Sequence, residues 1–113
     1  MSTHATIAIQ LDEGFIAVYL QYDGYPDNCE SILQKHWNSK YLATAIMMGG
    51  DIRSLGENKM DTFYESGQDD WDIVKPKLFN NIDELKKYCN THYCNWLYVW
   101  ELDNAKKWST IEL

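Results

Sequence analysis

The sequence predicts an α+β fold in which an antiparallel sheet of four or five strands carries three helices, packed mainly on one face. Three observations lead to this prediction. Alternating, β-branched apolar segments lie near both ends of the chain, and amphipathic helical segments lie between them. Short turns, at residues 12–14 and 103–106, connect the strands at each end of the chain. The sequence has no internal repeat, linker or low-complexity tract, so residues 1–113 are expected to form one domain.

The N-terminal segments predict a β-hairpin. Residues 4–11 alternate moderately and contain β-branched side chains, residues 12–14 read Asp-Glu-Gly, and residues 15–22 return as a second strand. The second strand is expected to bury its more apolar face, which carries Ile16, Val18, Leu20 and Tyr22.

The stretch at residues 22–27, Tyr-Asp-Gly-Tyr-Pro-Asp, is predicted to change the chain from sheet to helix. Gly24 can take a positive φ, and Pro26 prevents continuation as a central strand. Asp27 and Glu30 have the spacing of a capping box, with Asp27 as the N-cap. The stretch therefore predicts a connector that starts a helix.

Three helices are predicted from apolar spacing and end signals. The first covers residues 28–37 and the second residues 40–48, which ends at Gly49-Gly50. The third follows Asn81, with Glu84 at the capping-box position. Its buried side is expected to carry Ile82, Leu85, Tyr88 and Cys89, while Lys86 and Lys87 face solvent.

The middle of the chain gives weaker signals. Residues 51–57 are predicted to form a compact loop, and residues 61–65 a third strand. Residues 66–70 are polar and predict an exposed connection, after which residues 71–74 are expected to return to the core.

The C-terminal part predicts the strongest strand. It covers residues 95–102, followed by a turn at residues 103–106 and a final strand at residues 107–111. One small core is not expected to hold all the tryptophans of these strands, which are Trp96, Trp100 and Trp108. A homodimer would cover them; the alternative is that the three helices cover them completely.

Composition excludes several classes of function. Seventeen acids against ten bases give a net charge of −7, which argues against direct DNA or RNA binding. No run of eighteen apolar residues predicts a membrane span, and the first residues do not resemble a secretion signal, so a cytoplasmic protein is expected. Three cysteines, Cys29, Cys89 and Cys94, are predicted to be reduced packing residues, and the histidines are scattered, so neither a metal site nor a cofactor is predicted.

The excess of acidic residues is greatest at residues 61–72, which contain five acids and no base. It is either a solvated loop or a strip that docks on a basic partner or copies phosphate charge. Aromatic side chains on a tight turn are favoured anchors for a partner. The predicted partner-binding residues are therefore Tyr22, Asp23, Tyr25, Asp61, Glu65, Asp69, Asp70, Trp71 and Asp72.

A family resemblance rests on two motifs. Residues 19–26 read Y-L-Q-Y-D-G-Y-P, followed by a helix that ends at His36-Trp37, and residues 50–56 read G-D-I-R-S-L-G. This resembles short, largely uncharacterised bacteriophage proteins with a Y-x-H-W-D-G-Y-P and a G-D-I-S-S-L-G pattern. Looser similarity extends through residues 66–71 and to the C-terminal strands. The family's His-Trp pair is Gln21-Tyr22 here, which lowers any enzymatic reading.

The resemblance implies a phage accessory protein in the host cell cytoplasm. We expect it to bind and inhibit a bacterial host protein, with a restriction or anti-phage defence component as the first candidate, through an acidic and aromatic surface. One alternative is a DNA mimic. Another is a protein that sequesters a signalling nucleotide, with the lone arginine, Arg53, near Gly49-Gly50 or the helix start after Pro26 as its anion site.

An enzyme is the weakest reading, and no catalytic residue is predicted. His36 with Asp23 or Asp51 resembles a base and its orienting group, and Cys29 resembles a nucleophile. Cys29 and His36 are seven residues apart in one predicted helix, about 10 Å by the helical rise, which is too far for direct proton transfer.

Overall fold

A mixed β-sheet forms the centre of the computed structural model, which describes residues 3–101 and 108–113. Within these residues the sheet has seven strands, whose bounds are Ala5–Gln10 (β1), Phe15–Leu20 (β2), Ile52–Ser54 (β3), Phe63–Tyr64 (β4), Lys77–Phe79 (β5), Trp96–Trp100 (β6) and Trp108–Glu112 (β7). The same residues form four α-helices, whose bounds are Cys29–His36 (α1), Lys40–Met48 (α2), Trp71–Val74 (α3) and Ile82–Thr91 (α4). A short 3₁₀ turn covers Glu65–Gly67.

The α+β class is confirmed, but the prediction of an antiparallel sheet of four or five strands with three helices is wrong in detail. The sheet is mixed, and the described residues form seven strands and four α-helices. The strand order is β4-β3-β2-β1-β6-β7, and β1 pairs antiparallel with β2 as the predicted hairpin. However, β1 runs parallel to β6, and β2 runs parallel to β3. Parallel neighbours need a crossover connection, which α1 and α2 supply between β2 and β3.

Two short strands share one edge of β2. β5 pairs with it from Phe15 to Ala17, and β3 pairs with it at Leu20. The loop predicted at residues 51–57 therefore contains a strand, and the predicted third strand is reduced to β4. Residues 71–74 form α3, of which only Val74 is buried.

Helices cover both faces of the sheet, so the prediction that they pack mainly on one face is wrong. α1 and α2 cover the face that contains Ile7, Val18, Leu20 and Tyr98, with Leu33 and Ile46 in contact with it. α4 covers the opposite face, where Leu85 and Cys89 pack on Ala8, Ala17, Leu97 and Val99. The two sides of β2 are therefore both core surfaces, and Tyr22 lies beyond the end of the strand.

The first core holds the tryptophans of the last two strands. Trp100 and Trp108 are both buried, and their ring centroids lie 5.4 Å apart in an edge-to-face arrangement. The indole of Trp108 donates a hydrogen bond to the carbonyl of Trp37, at 3.1 Å, and Trp96 packs against the same cluster. The expectation that one core could not hold them is wrong, so these residues give no support for a homodimer. The turn predicted at residues 103–106 lies outside the described residues.

The helix ends follow the capping prediction at α4 and depart from it at α1. The Asn81 carboxamide accepts the N–H of Glu84, and the Glu84 carboxylate accepts the N–H of Asn80, both at 2.9 Å. At α1 the predicted cap, Asp27, makes no such bond: the residue that precedes the helix is Asn28, which makes no side-chain cap bond. Instead, the Glu30 side chain accepts a hydrogen bond from the hydroxyl of Thr110 on β7, at 2.9 Å.

The three cysteines are buried free thiols, as predicted. Burial raises the pKa of Cys29 far above its ordinary value. No helix among the described residues has both the length and the apolar character that a membrane crossing requires.

Candidate functional site

The turn at residues 22–27 is anchored to the sheet. Asp23, and not the expected Gly24, takes the positive φ, at 58°. A Cβ at Gly24 would lie 2.7 Å from the Cβ of Ala5, so glycine is required here for close packing on β1. The Tyr98 hydroxyl donates to the Gly24 carbonyl at 2.6 Å, and the Gly24 N–H donates to the Thr3 carbonyl at 2.9 Å. The backbone of the turn is therefore fixed against the sheet.

Three aromatic side chains among the predicted contacts are partly exposed. Tyr22 and Tyr25 expose 40% and 42% of their surface, and Trp71 exposes 46%. Tyr22 is tied to β3, because its N–H donates to the Arg53 carbonyl at 3.0 Å. Asp23, the other predicted contact on this turn, is exposed.

Glu65 does not belong to an exposed acidic strip. Its carboxylate is buried and receives two hydrogen bonds from the guanidinium of Arg53, at 3.2 and 3.3 Å. The strand pairing brings the two side chains together: β3 pairs with β4, which ends one residue before Glu65, and the Glu65 N–H donates to the Asp51 carbonyl at 3.0 Å. Glu65 is therefore a support for the surface and is not positioned to touch a partner.

The other acids of the block fall into two places. Asp69, Asp70 and Asp72 are exposed and surround Trp71 in sequence; we call residues 69–72 the acidic segment. Asp61 lies in a separate loop, where its carboxylate accepts a hydrogen bond from the Asn58 carboxamide at 3.0 Å. The buried Glu65 thus interrupts the predicted strip.

The acidic segment is held by its own backbone. The N–H groups of Gln68 and Asp69 both donate to the Glu65 carbonyl at 2.9 Å, and the Lys75 N–H donates to the Trp71 carbonyl at 2.8 Å. Its carboxylates are not engaged in the same way: Asp70 makes no capping bond to α3, and Asp72 reaches Lys75 at 3.7 Å with both side chains exposed. Such an exposed pair contributes little to stability, so these charges are available to a partner.

The guanidinium of Arg53 is partly exposed but is already engaged by side chains of the same chain. Besides its two bonds to Glu65, it donates to the Gln68 carboxamide at 2.9 Å, and the Glu65 carboxylate raises the pKa of Arg53. The neighbouring glycines are closely packed, because a Cβ on Gly49 would lie 2.1 Å from the ring of Tyr64. The anion site expected at Arg53 and these glycines is therefore not formed as an open cradle.

The helix start after Pro26 is also unsuited to an anion. A groove of about 350 Å³ is present there, but two carboxylates line it. Its lining residues are Pro26, Asp27, Glu30, Ser31 and Gln34.

A polar cluster on the α4 face was not predicted from the sequence. It is built around the buried Asp51, whose Oδ1 accepts the N–H of Tyr19 at 2.9 Å and whose Oδ2 lies 3.7 Å from the ammonium of Lys77. Two rings at the C-terminal end of α4 adjoin it, Tyr88 within the helix and His92 directly after it. Their centroids are 4.0 Å apart, and the centroid of His92 lies 5.7 Å from that of Tyr19.

The role of Asp51 follows from the strand pairing. Tyr19 lies on β2 between the segment paired with β5 and the residue paired with β3, so no strand carbonyl faces its N–H. The carboxylate takes the place of that carbonyl, which satisfies a backbone donor that would otherwise be unpaired. Burial raises the pKa of Asp51, although the Tyr19 N–H and the Lys77 ammonium act in the opposite direction.

Burial also acts on the two phenols beside the cluster: it raises the pKa of Tyr19 to about 12 and raises the pKa of Tyr88 as well. The Nδ1 of His92 donates to the Tyr88 carbonyl at 2.9 Å. One signal in the sequence could have shown part of this cluster: Tyr88 and His92 are four residues apart, the spacing that brings side chains together at the end of a helix.

The catalytic pairing considered for His36 is not formed with either aspartate. The Nε2 of His36 lies 3.8 Å from the Glu57 carboxylate, and Asp51 is engaged by Tyr19 and Lys77. Among residues 3–101 and 108–113, no three histidine, cysteine, aspartate or glutamate side chains are grouped so that they could hold a metal ion.

Comparisons with protein-family models, with curated proteins and with solved structures find no match to this chain.

Proposed function

We propose that this chain is a phage accessory protein that binds and inhibits a bacterial host protein in the host cytoplasm. A restriction or anti-phage defence component is the first candidate for that target. The observation that supports the proposal best is the acidic segment, where three exposed carboxylates surround a half-exposed tryptophan on a backbone held by hydrogen bonds.

The chemistry of the segment suits association with a basic surface. Carboxylates that are not bonded within the fold raise the rate of association with a positively charged partner, and the net charge of −7 acts in the same direction. Trp71 supplies an aromatic anchor whose apolar area is removed from water on binding.

Rigidity adds to the case for a preformed surface. The bidentate Arg53–Glu65 pair fixes the base of the acidic segment. The backbone hydrogen bond from the Tyr22 N–H to the Arg53 carbonyl holds the turn at residues 22–27 beside that pair. A surface that is ordered before binding loses less conformational entropy when the partner docks.

DNA mimicry is the less favoured form of the proposal. A mimic needs carboxylates spaced along the outside of the fold in the manner of backbone phosphates. Here Glu65 is buried against Arg53, and Asp61 lies in another loop, so the acids of residues 61–72 do not form one continuous track.

Affinity capture from bacterial lysate at physiological salt tests the proposal. Wild-type protein is compared with an acid-neutralised variant, Asp69→Asn/Asp70→Asn/Asp72→Asn, in which no capping or buried bond is removed. The matched control neutralises three exposed acids elsewhere, Asp12→Asn/Glu13→Gln/Glu112→Gln.

We expect wild type and the control variant to retain the same bacterial protein and the acid-neutralised variant to lose most of it. Purified target is then assayed for its activity with and without the chain, because the proposal requires inhibition as well as binding. Recovery of no bacterial protein, or equal recovery by all three chains, would contradict it.

A further inference from the structure

A groove along the exposed side of α2 carries positive charge on a chain whose net charge is −7. It has a volume of about 680 Å³ and is lined by Lys40, Tyr41, Thr44, Ala45, Met48 and Lys59. The α2 residues recur at helical spacing, so they form one stripe on the helix. No carboxylate is among the lining residues, although the chain has seventeen acids and ten bases.

Both lysines of the groove are open to a ligand. The ion pairs of the described residues involve neither Lys40 nor Lys59. Both side chains belong to exposed residues that face the same groove. The hydroxyl of Thr44 is already used, since it donates to the Lys40 carbonyl at 2.8 Å. The charged groups that the groove offers are therefore two ammonium groups.

The remaining lining is apolar and exposed. Tyr41 exposes 81% of its surface and Met48 exposes 72%, which are large fractions for side chains of this type. A tyrosine ring offers a face for stacking, and a methionine side chain adapts its shape to an apolar neighbour. A second groove of about 330 Å³ shares Lys40, Thr44 and Met48 with it and extends towards Ile9 and Leu11. The lining of this second groove includes one carboxylate, that of Asp12.

We propose that this groove binds a small anion that carries a flat aromatic ring, a ligand of the nucleotide class. The volume lies within the range of about 300–1,000 Å³ that is usual for small-molecule sites. Its charge complements a phosphate, and the exposed Tyr41 ring complements a base. A single nucleotide fits better than a nucleic acid, because a long polyanion would meet the net negative charge of the rest of the surface.

The α2 groove lies in a different part of the molecule from the anion site expected at Arg53. Arg53 is held by Glu65 and Gln68, whereas the lysines of the α2 groove are not so held. The groove and the acidic segment have no lining residue in common, so the two proposals can fail separately.

Isothermal titration calorimetry with adenosine monophosphate, adenosine and inorganic phosphate tests this site on the whole chain. We expect adenosine monophosphate to bind, and each of the two fragments to bind at least about tenfold more weakly, because each lacks one of the two contacts. Thermal unfolding with the same compounds gives a second readout, since a ligand of the folded state raises Tm.

Two pairs of matched variants locate the binding. Lys40→Gln/Lys59→Gln is expected to weaken adenosine monophosphate by at least about tenfold, while Lys86→Gln/Lys87→Gln, which removes two exposed lysines of α4, leaves it unchanged. Tyr41→Ala is expected to weaken it as well, and Tyr93→Ala, at a residue that exposes 82% of its surface, is its control.

Three outcomes would overturn the proposal: no binding of adenosine monophosphate at millimolar concentration, equal binding of adenosine, or equal weakening by the two lysine variants. The acid-neutralised variant is expected to bind adenosine monophosphate as wild type does, which separates this test from the test of protein binding.

Discussion

Replacing Asp51 by alanine should destabilise the protein through one identifiable hydrogen bond. The substitution removes the acceptor of the Tyr19 N–H, whose nitrogen lies 2.9 Å from the carboxylate, at the point on β2 between its pairing with β5 and its pairing with β3. A buried donor left without a partner costs about 1–3 kcal/mol. The lost pairing with Lys77, at 3.7 Å, adds little because the lysine side chain is partly exposed.

That cost translates into a measurable shift in Tm. At about 2.1 cal/mol/K for each of 113 residues, the unfolding entropy is about 0.24 kcal/mol/K. Asp51→Ala is therefore expected to lower Tm by about 4–13 °C in a thermal melt followed by circular dichroism. The matched control is Asp51→Asn, which keeps a side-chain oxygen in place and should stay close to wild type.

The dependence on pH distinguishes the carboxylate from a neutral acceptor. Burial raises the pKa of Asp51 in the folded chain, so the folded state holds the proton more tightly than the unfolded state does. This contribution to stability is fully present below the unfolded pKa, about 3.9, and is lost as pH rises through the raised folded pKa. Wild type should therefore gain stability relative to Asp51→Asn as pH falls from neutral to about 4.

Two results would refute this reasoning. Equal melting temperatures for wild type, Asp51→Ala and Asp51→Asn would show that the carboxylate does not complete the edge of β2. A loss of wild-type stability relative to Asp51→Asn on acidification would show that the attraction of Lys77 and the Tyr19 N–H outweighs the cost of burial.

Three further predictions concern packing, charge and thiol access. Gly24→Ala should lower Tm, because its Cβ would lie 2.7 Å from that of Ala5. The control, Gly67→Ala, places a Cβ that has no atom within 4 Å and should leave Tm unchanged or slightly higher. Equal Tm values for the two variants would contradict the packing argument. In urea denaturation, Arg53→Ala should lower the free energy of unfolding more than Arg53→Ala/Glu65→Gln does, because the single variant leaves a buried carboxylate without its cation. The reverse order would show that Glu65 does not depend on Arg53. Iodoacetamide should leave all three cysteines of the native protein unmodified while the unfolded chain is labelled, as followed by mass spectrometry; rapid native labelling would contradict their burial.

Local features of the fold were readable from the sequence. The bounds of α2 agree with the predicted residues 40–48, and the cap at Asn81 forms as its spacing indicates. The β1–β2 hairpin also forms where the alternating segments and the Asp-Glu-Gly turn place it. These signals involve neighbours in the chain, so no tertiary information was needed.

Pairings between distant segments were not readable in the same way. β3 and β5 have three residues each, too few to show a period, and their positions depend on the free edge of β2. One overlooked signal is β6, Trp-Leu-Tyr-Val-Trp, which is apolar on both faces and is therefore typical of a strand covered on both sides. A strand of this kind predicts helices on both faces of the sheet, and therefore enough buried volume to hold the tryptophans.

The candidate site shows a similar division. The exposure of Asp69, Asp70 and Asp72 follows from a polar segment that has no apolar residue except Trp71. The burial of Glu65 depends on Arg53, twelve residues earlier on β3, and the role of Asp51 depends on Tyr19, thirty-two residues away. No local pattern contains either pairing.

The most direct test of the proposed function is the association rate of the chain with its captured partner, measured by stopped flow or surface plasmon resonance over a range of salt concentrations. If the acidic segment guides binding, the wild-type rate should fall steeply with salt, and the acid-neutralised variant should associate more slowly with a weaker dependence on salt. Identical rates and salt dependence for the two chains would show that this segment is not the surface through which the protein acts.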